Sequence, residues 1–158
     1  VGKEIANKIR PLYKNKGHLV EAGPTDFPSD WNLRIPGEHN KGSSALAIEA
    51  TKALGVPMEI IRRAVESFTG VEGRLELMGE KDGVKIYNDN NATTPEATAA
   101  GLSAVSLGRN VVLIMGGADK GLLPDALFSA IKKYCRVVIL LYGTVTEKIR
   151  NDIMDINE

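Results

Sequence analysis

One cysteine, Cys135, among 158 residues excludes an internal disulfide and any zinc site built from several thiolates. It flanks an apolar run, the setting of a core residue more than of a nucleophile. An excess of one charge is missing too: 20 basic and 20 acidic residues cancel, which removes any global electrostatic case for a nucleic acid or membrane partner. Long hydrophobic runs are absent. Val111–Met115 and Val137–Tyr142 have the length of buried strands, far below the about 20 apolar residues a helix needs to span a bilayer. No secretory signal opens the chain, because Val1–Lys16 is charged throughout, and the cytoplasm is the expected location. There is no internal repeat, no low-complexity tract and no Gly-x-x-x-x-Gly-Lys-Ser/Thr phosphate loop. What is present, 43% hydrophobic residues over this length, suffices for one domain's core plus a remnant of something else.

The chain is organised around Ile86–Ala97. An apolar strand, Gly83–Tyr87, runs into a polar turn, and a helix opens at Thr93-Thr94-Pro95-Glu96. Thr93 with Glu96 has capping-box spacing; Thr94 before Pro95 is an equally good cap with proline at the first helical position. In either register Asp89, Asn90, Asn91, Thr93 and Thr94 lie between a strand's carboxyl end and a helix's amino end. Open α/β sheets bind ligands there, since free N–H groups and the helix dipole favour an anion. An ordinary polar strand–helix connection would read the same way.

Ahead of this, Val1–Asn32 has no sustained period and reads as the trailing edge of another domain or a long connection, with a short helix over Val1–Tyr13. Leu33–Asn40 is extended; a helix then runs through Leu46, Ala47, Ala50, Ala53 and Leu54 to a stop at Gly55, capped by Asn40, Ser43 or Ser44. His39 beside its start is a ligand, an acid–base group or a structural residue. Pro57 opens a helix whose Ile60, Ile61, Ala64, Val65 and Phe68 form an apolar face, with Arg62, Arg63 and Glu66 in solvent. Lys81-Asp82-Gly83 turns a strand starting at Gly73 back into Val84–Tyr87, a hairpin signal because that turn needs positive φ.

Downstream, the helix from Pro95 carries Ala97, Ala100, Gly101 and Ala104, small residues suited to close packing. Asn110–Met115 is a strand covered on both faces and ends in Gly116-Gly117-Ala118-Asp119-Lys120-Gly121. That polar end lies beside the Asp89 turn if the two strands are parallel neighbours. Lys120 there suits a carboxylate or phosphate, or is a surface lysine. A helix over Pro124–Tyr134, a strand over Val137–Tyr142 and a last helix capped by Thr144 or Thr146 complete the alternation. The expected fold class is α/β: a Rossmann-like, mostly parallel sheet flanked by helices, with an antiparallel hairpin at one edge.

Four blocks, Pro36-Gly37-Glu38-His39-Asn40, Phe68–Glu76, Asn88-Asp89 with Ala92-Thr93-Thr94-Pro95, and Gly116-Gly117-Ala118-Asp119-Lys120, resemble the Mur ligase family in order and spacing over about Leu33–Asn157. The resemblance implies residues 1–32 as a remnant of a preceding ATPase domain or linker. It implies residues 33–158 as the family's C-terminal Rossmann-like domain, truncated at its C-terminus, with N-terminal and central domains absent from this chain. The Asn-Asp-x-x-Ala-Thr-Thr-Pro form points to the branch that adds D-glutamate to UDP-N-acetylmuramoyl-L-alanine through an acyl phosphate. ATP and Mg2+ are then the implied cofactors, bound mainly outside this chain. Position by position, the resemblance places Arg74, Asp89, Asn40 and Ser43 on the nucleotide, and Thr93, Lys120, Thr94 and Asn91 on the amino acid substrate. It assigns no catalytic residue and no metal ligand here. The chain departs from the family at Ser43, which stands where an asparagine is usual, and at Asn91, which stands where the D-glutamate branch often has lysine. Another ligase of the superfamily, folylpolyglutamate synthase included, and a non-catalytic nucleotide- or anion-binding module are the alternatives.

Overall fold

The computed structural model describes residues 1–14 and 17–156. Two compact units make up the chain, Val1–Gly70 and Val71–Glu158. The first unit therefore runs past the composition change near Asn32, to Gly70.

In the first unit, α1 (Lys3–Ile9) is followed by a 3-10 turn over Arg10–Leu12, and α2 (Glu38–Ala53) and α3 (Met58–Ser67) follow a second 3-10 turn over Pro24–Asp26. α2 starts two residues before Asn40, because Gly37 takes φ 104°, a left-handed bend that admits the helix early. Asn40, Ser43 and Ser44 are thus inside the helix and cap nothing; the Asn40 amide donates back to the Pro36 carbonyl at 2.6 Å. Gly55, at φ 78°, ends α2 as its position in the sequence predicts. Ala6, Ala22, Ala45, Ile48 and Ile61 are the unit's buried apolar residues. Arg62 is not a free solvent group: it binds Asp30 and Glu66 and lies 5.8 Å from the centre of the Trp31 ring.

The second unit carries the predicted alternation. The hairpin pairs β1 (Glu76–Lys81) with β2 (Val84–Asn88), turning through Asp82 at φ 53° and Gly83 at φ 79°. α4 (Pro95–Val105), β3 (Val111–Met115), α5 (Asp125–Tyr134), β4 (Cys135–Leu140) and α6 (Thr144–Ile156) follow, and β3 and β4 pair in parallel. The mixed α/β class, the antiparallel hairpin and the parallel pair are all present. β2 and β3 are not ladder partners: among the described residues the hairpin and the parallel pair are separate two-stranded sheets.

The unit's core gathers Leu102, Leu127, Ala130, Ile131, Cys135, Ile149 and Ile153, packed on Val111, Leu113, Met115, Val138 and Leu140 from the strands. Alternation sends Val112, Ile114, Val137 and Ile139 to the other side, where they are 44–61% exposed. β3 and β4 are accordingly covered on one face, not two. Cys135 is buried, as its setting predicts, and desolvation pushes its thiol above the usual range, against a smaller opposite effect of Arg109.

Candidate functional site

The Asp89 turn is held by its own helix. Thr94, not Thr93, is the N-cap of α4: its Oγ1 accepts from the Ala97 N–H at 3.2 Å, with Pro95 in the first helical position. That register frees Thr93, whose side chain is exposed and whose N–H donates to the Asn91 carbonyl at 3.0 Å.

A second turn, Val71–Leu75, is stitched onto the first. The Leu75 N–H donates to Asp89 Oδ1 at 2.9 Å, the Asn91 N–H donates to the Gly73 carbonyl at 3.0 Å, and Asn91 Nδ2 donates to the Glu72 carbonyl at 3.0 Å. Glu76 Oε2 accepts from the Gly73 N–H at 2.9 Å and from Asn88 Nδ2 at 3.4 Å. Backbone conformation requires this bracing. Gly73 takes φ 70° and Leu75 φ 45°, and a left-handed leucine costs about 1–2 kcal/mol relative to its preferred regions. Between these two stands Arg74, whose N–H donates to the Val71 carbonyl at 3.1 Å and whose exposed side chain makes no hydrogen bond or ion pair among the described residues. A side chain on Gly73 would overlap Asn90 and come within 2.7 Å of Asn91 Nδ2.

Asp89 is half-buried and its two oxygens differ. Oδ1 is committed to Leu75; Oδ2 accepts no hydrogen bond from a described residue. Because no fully buried side-chain polar atom among the described residues lacks a partner, Oδ2, which lies against Gly101, is not sealed from solvent and keeps its capacity to accept from a hydroxyl donor. Arg74 and Asp89 thus present a guanidinium and a carboxylate oxygen from one braced pair of turns, a set suited to a phosphorylated sugar.

Lys120 stands on a different loop. Gly116 and Gly117 pass against Leu141–Gly143 so closely that a Cβ on Gly143 would lie 2.6 Å from the Gly117 carbonyl oxygen, and one on Gly116 2.8 Å from Leu141 Cβ. The Val145 N–H donates to the Gly117 carbonyl at 3.2 Å and the Asp119 N–H to Thr144 Oγ1 at 2.9 Å. Lys148 donates to Asp119 Oδ2 at 2.8 Å and the Gly121 N–H to Oδ1 at 2.9 Å. The Lys148 hydrogen bond first, then that of Gly121, hold the Asp119 carboxyl below the ordinary 3.8. Lys120 itself is exposed. Its loop and the Asp89 turn leave separate ladders, and no hydrogen bond among the described residues joins them.

The remaining expected site residues fall elsewhere. Asn40 and Ser43 lie on α2 in the first unit, Asn40 with its amide nitrogen occupied and Ser43 exposed. Asn91 braces a turn, as described. Sequence reasoning gives Leu75, Glu76, Thr144 and Gly101 no site role, although the first two lie in the Phe68–Glu76 block, Thr144 is a cap candidate and Gly101 stands out for small size; Lys148 gives no signal. Among the described residues no group of three or more His, Cys, Asp or Glu could hold a metal ion. No described helix is long and apolar enough to cross a membrane.

Comparison with known proteins finds relatives over most of the chain. A UDP-N-acetylmuramoylalanine–D-glutamate ligase of Roseiflexus is 44% identical over 119 residues, 75% of this chain and 25% of that protein. The ligase of the same name from Clostridium botulinum is 42% identical over 144 residues, 91% of this chain and 30% of that protein. The chain thus spans between a quarter and a third of the length of these curated relatives. A crystal structure of UDP-N-acetylmuramate-alanine ligase from Thermotoga maritima superposes with a TM-score of 0.63 at 22% identity, over 79% of this chain and 29% of that one, and shows the fold. Residues 73–156 match the family described as Mur ligase, glutamate ligase domain, and the chain belongs to the Mur ligases.

Proposed function

We propose that this chain supplies the amino-acid-binding, nucleotide-covering part of an ATP-dependent ligase. That ligase adds D-glutamate to UDP-N-acetylmuramoyl-L-alanine in cytoplasmic peptidoglycan precursor synthesis. The observation that carries the reading is the braced pair of turns presenting Arg74 and Asp89 Oδ2 within the segment matched to the family. ATP supplies the phosphoryl group that activates the substrate carboxylate. The residues here bind, orient and exclude water, so that the acyl phosphate meets an amine and not solvent.

In this reading Asp89 Oδ2 accepts a ribose hydroxyl and Arg74 faces the phosphates. Lys120 and the Thr93 hydroxyl hold the two carboxylates of D-glutamate, one by charge and one by a neutral hydrogen bond. Thr94 serves them as the cap that exposes Thr93, and Asn91 contributes its Oδ1, since its Nδ2 is bound to Glu72. Asn40 and Ser43 are proposed as nucleotide contacts of the first unit on the family resemblance alone. Val1–Gly70 then closes the portion of the ligase that precedes the glutamate ligase domain.

The phosphate loop being absent from this sequence, the chain alone releases no ADP from ATP and substrates. As the carboxyl-terminal part of a complete ligase polypeptide, it yields product, ADP and phosphate with D-glutamate as the preferred amino acid. Faster turnover with a diamino acid, L-alanine or a folate substrate would reassign the ligase; ADP release by the chain alone would refute the division of labour.

A further inference from the structure

Gly101 lies on α4, about two turns beyond the segment that bears the proposed ligand contacts, and is buried. A Cβ there would stand 2.7 Å from Asp89 Oδ2 and 3.8 Å from its Cγ, so the missing side chain is the space the carboxylate occupies. The same Cβ would touch Leu75 Cδ2 at 3.4 Å. Asp89 Oδ1, in turn, holds the N–H of left-handed Leu75, the residue directly after Arg74.

From these contacts we propose that Gly101 and Leu75 are positioning residues for the nucleotide, linked through the Asp89 carboxylate; the inference rests on the nucleotide reading of Arg74 and Asp89. Gly101 admits the carboxylate, one carboxylate oxygen fixes the Leu75 backbone, and that backbone aims Arg74. Asp89 therefore serves two ends at once, with Oδ1 turned to the protein and Oδ2 left to the ligand. Helix propensity alone favours alanine at position 101, so the glycine is explained by its neighbour and not by its helix.

The test is titration of the isotope-labelled chain with ADP, followed by amide and arginine side-chain resonances. In the native chain Leu75 and Arg74 move with ADP, and a through-hydrogen-bond coupling links the Leu75 nitrogen to the Asp89 carboxylate. Gly101→Ala abolishes that coupling and weakens ADP at least tenfold, while the shifts D-glutamate induces at Thr93 and Lys120 persist. Leu75→Gly in the Gly101→Ala background recovers at least threefold, because glycine holds the positive φ without the carboxylate. Native binding of ADP with an unchanged constant in Gly101→Ala, or no recovery in the double variant, overturns the inference alone. Absence of any ADP-induced shift in the native chain overturns the nucleotide reading, and this inference with it.

Discussion

Replacing Gly143 by alanine tests how the Lys120 loop is held. The added Cβ meets the Gly117 carbonyl oxygen at 2.6 Å and the Gly117 nitrogen at 3.1 Å. Both are backbone atoms, so no rotamer change relieves the contact, and the two loops must part by roughly half an ångström to reach normal van der Waals separation. Overpacking of this kind costs about 1–3 kcal/mol. The stiffer unfolded chain returns about 0.4–1 kcal/mol, since Gly143 does not use positive φ. The net expectation is a loss of about 1–2 kcal/mol, read in urea as a lower midpoint with an unchanged slope. The separation also strains the Val145 N–H bond to Gly117 and displaces Lys120, so D-glutamate binding weakens beyond what stability explains. A Gly143→Ala chain as stable as the native one, with native D-glutamate shifts at Lys120, would refute this view of the loop.

Ile131, 1% exposed at the centre of the second unit, gives the core's weight: Ile131→Ala costs about 2–5 kcal/mol in chemical denaturation, and a loss under 1 would mean the unit is not organised on that residue. The Asp119 carboxyl, held below 3.8 by Lys148, contributes stability that is fully present above that value and lost as pH falls through its lowered folded-state value. The stability profile of Asp119→Asn is consequently flatter in that acid window, and a parallel profile in native and variant chains would contradict the pairing.

Local signals carried much of this fold. Asp82-Gly83, Thr94-Pro95, Gly55 and the Asp125–Tyr134 periodicity act through neighbours a few residues away, and each lies where the letters place it. Strand partnership was not legible in the same way. Nothing within Val84–Tyr87 or Val111–Met115 encodes which ladder each joins, and an apolar run reads alike whether one face or two are covered. The extent of the first unit to Gly70 likewise depends on the contacts of α2 with the Pro24–Asp26 turn and with α3, while the composition change lies near Asn32. In the site, residue types revealed Asp89, Thr93 and Lys120 as candidates. The bracing of Arg74 did not show, because a left-handed leucine runs against local preference and is stabilised by an aspartate 14 residues away. Asn91 shows the same limit: its letter suggests a polar ligand contact, while its amide is bonded 19 residues back, to Glu72.

The central claim is that the Thr93 and Lys120 loops bind the same amino acid, and parallel titrations of the labelled chain with D-glutamate and L-glutamate test it most directly. The expected result is saturable shifts at both Thr93 and Lys120 with one common binding constant for D-glutamate, lost in Lys120→Ala at both positions, and weaker binding of the L-isomer. Shifts confined to one of the two loops, or equal binding of both isomers, would contradict it.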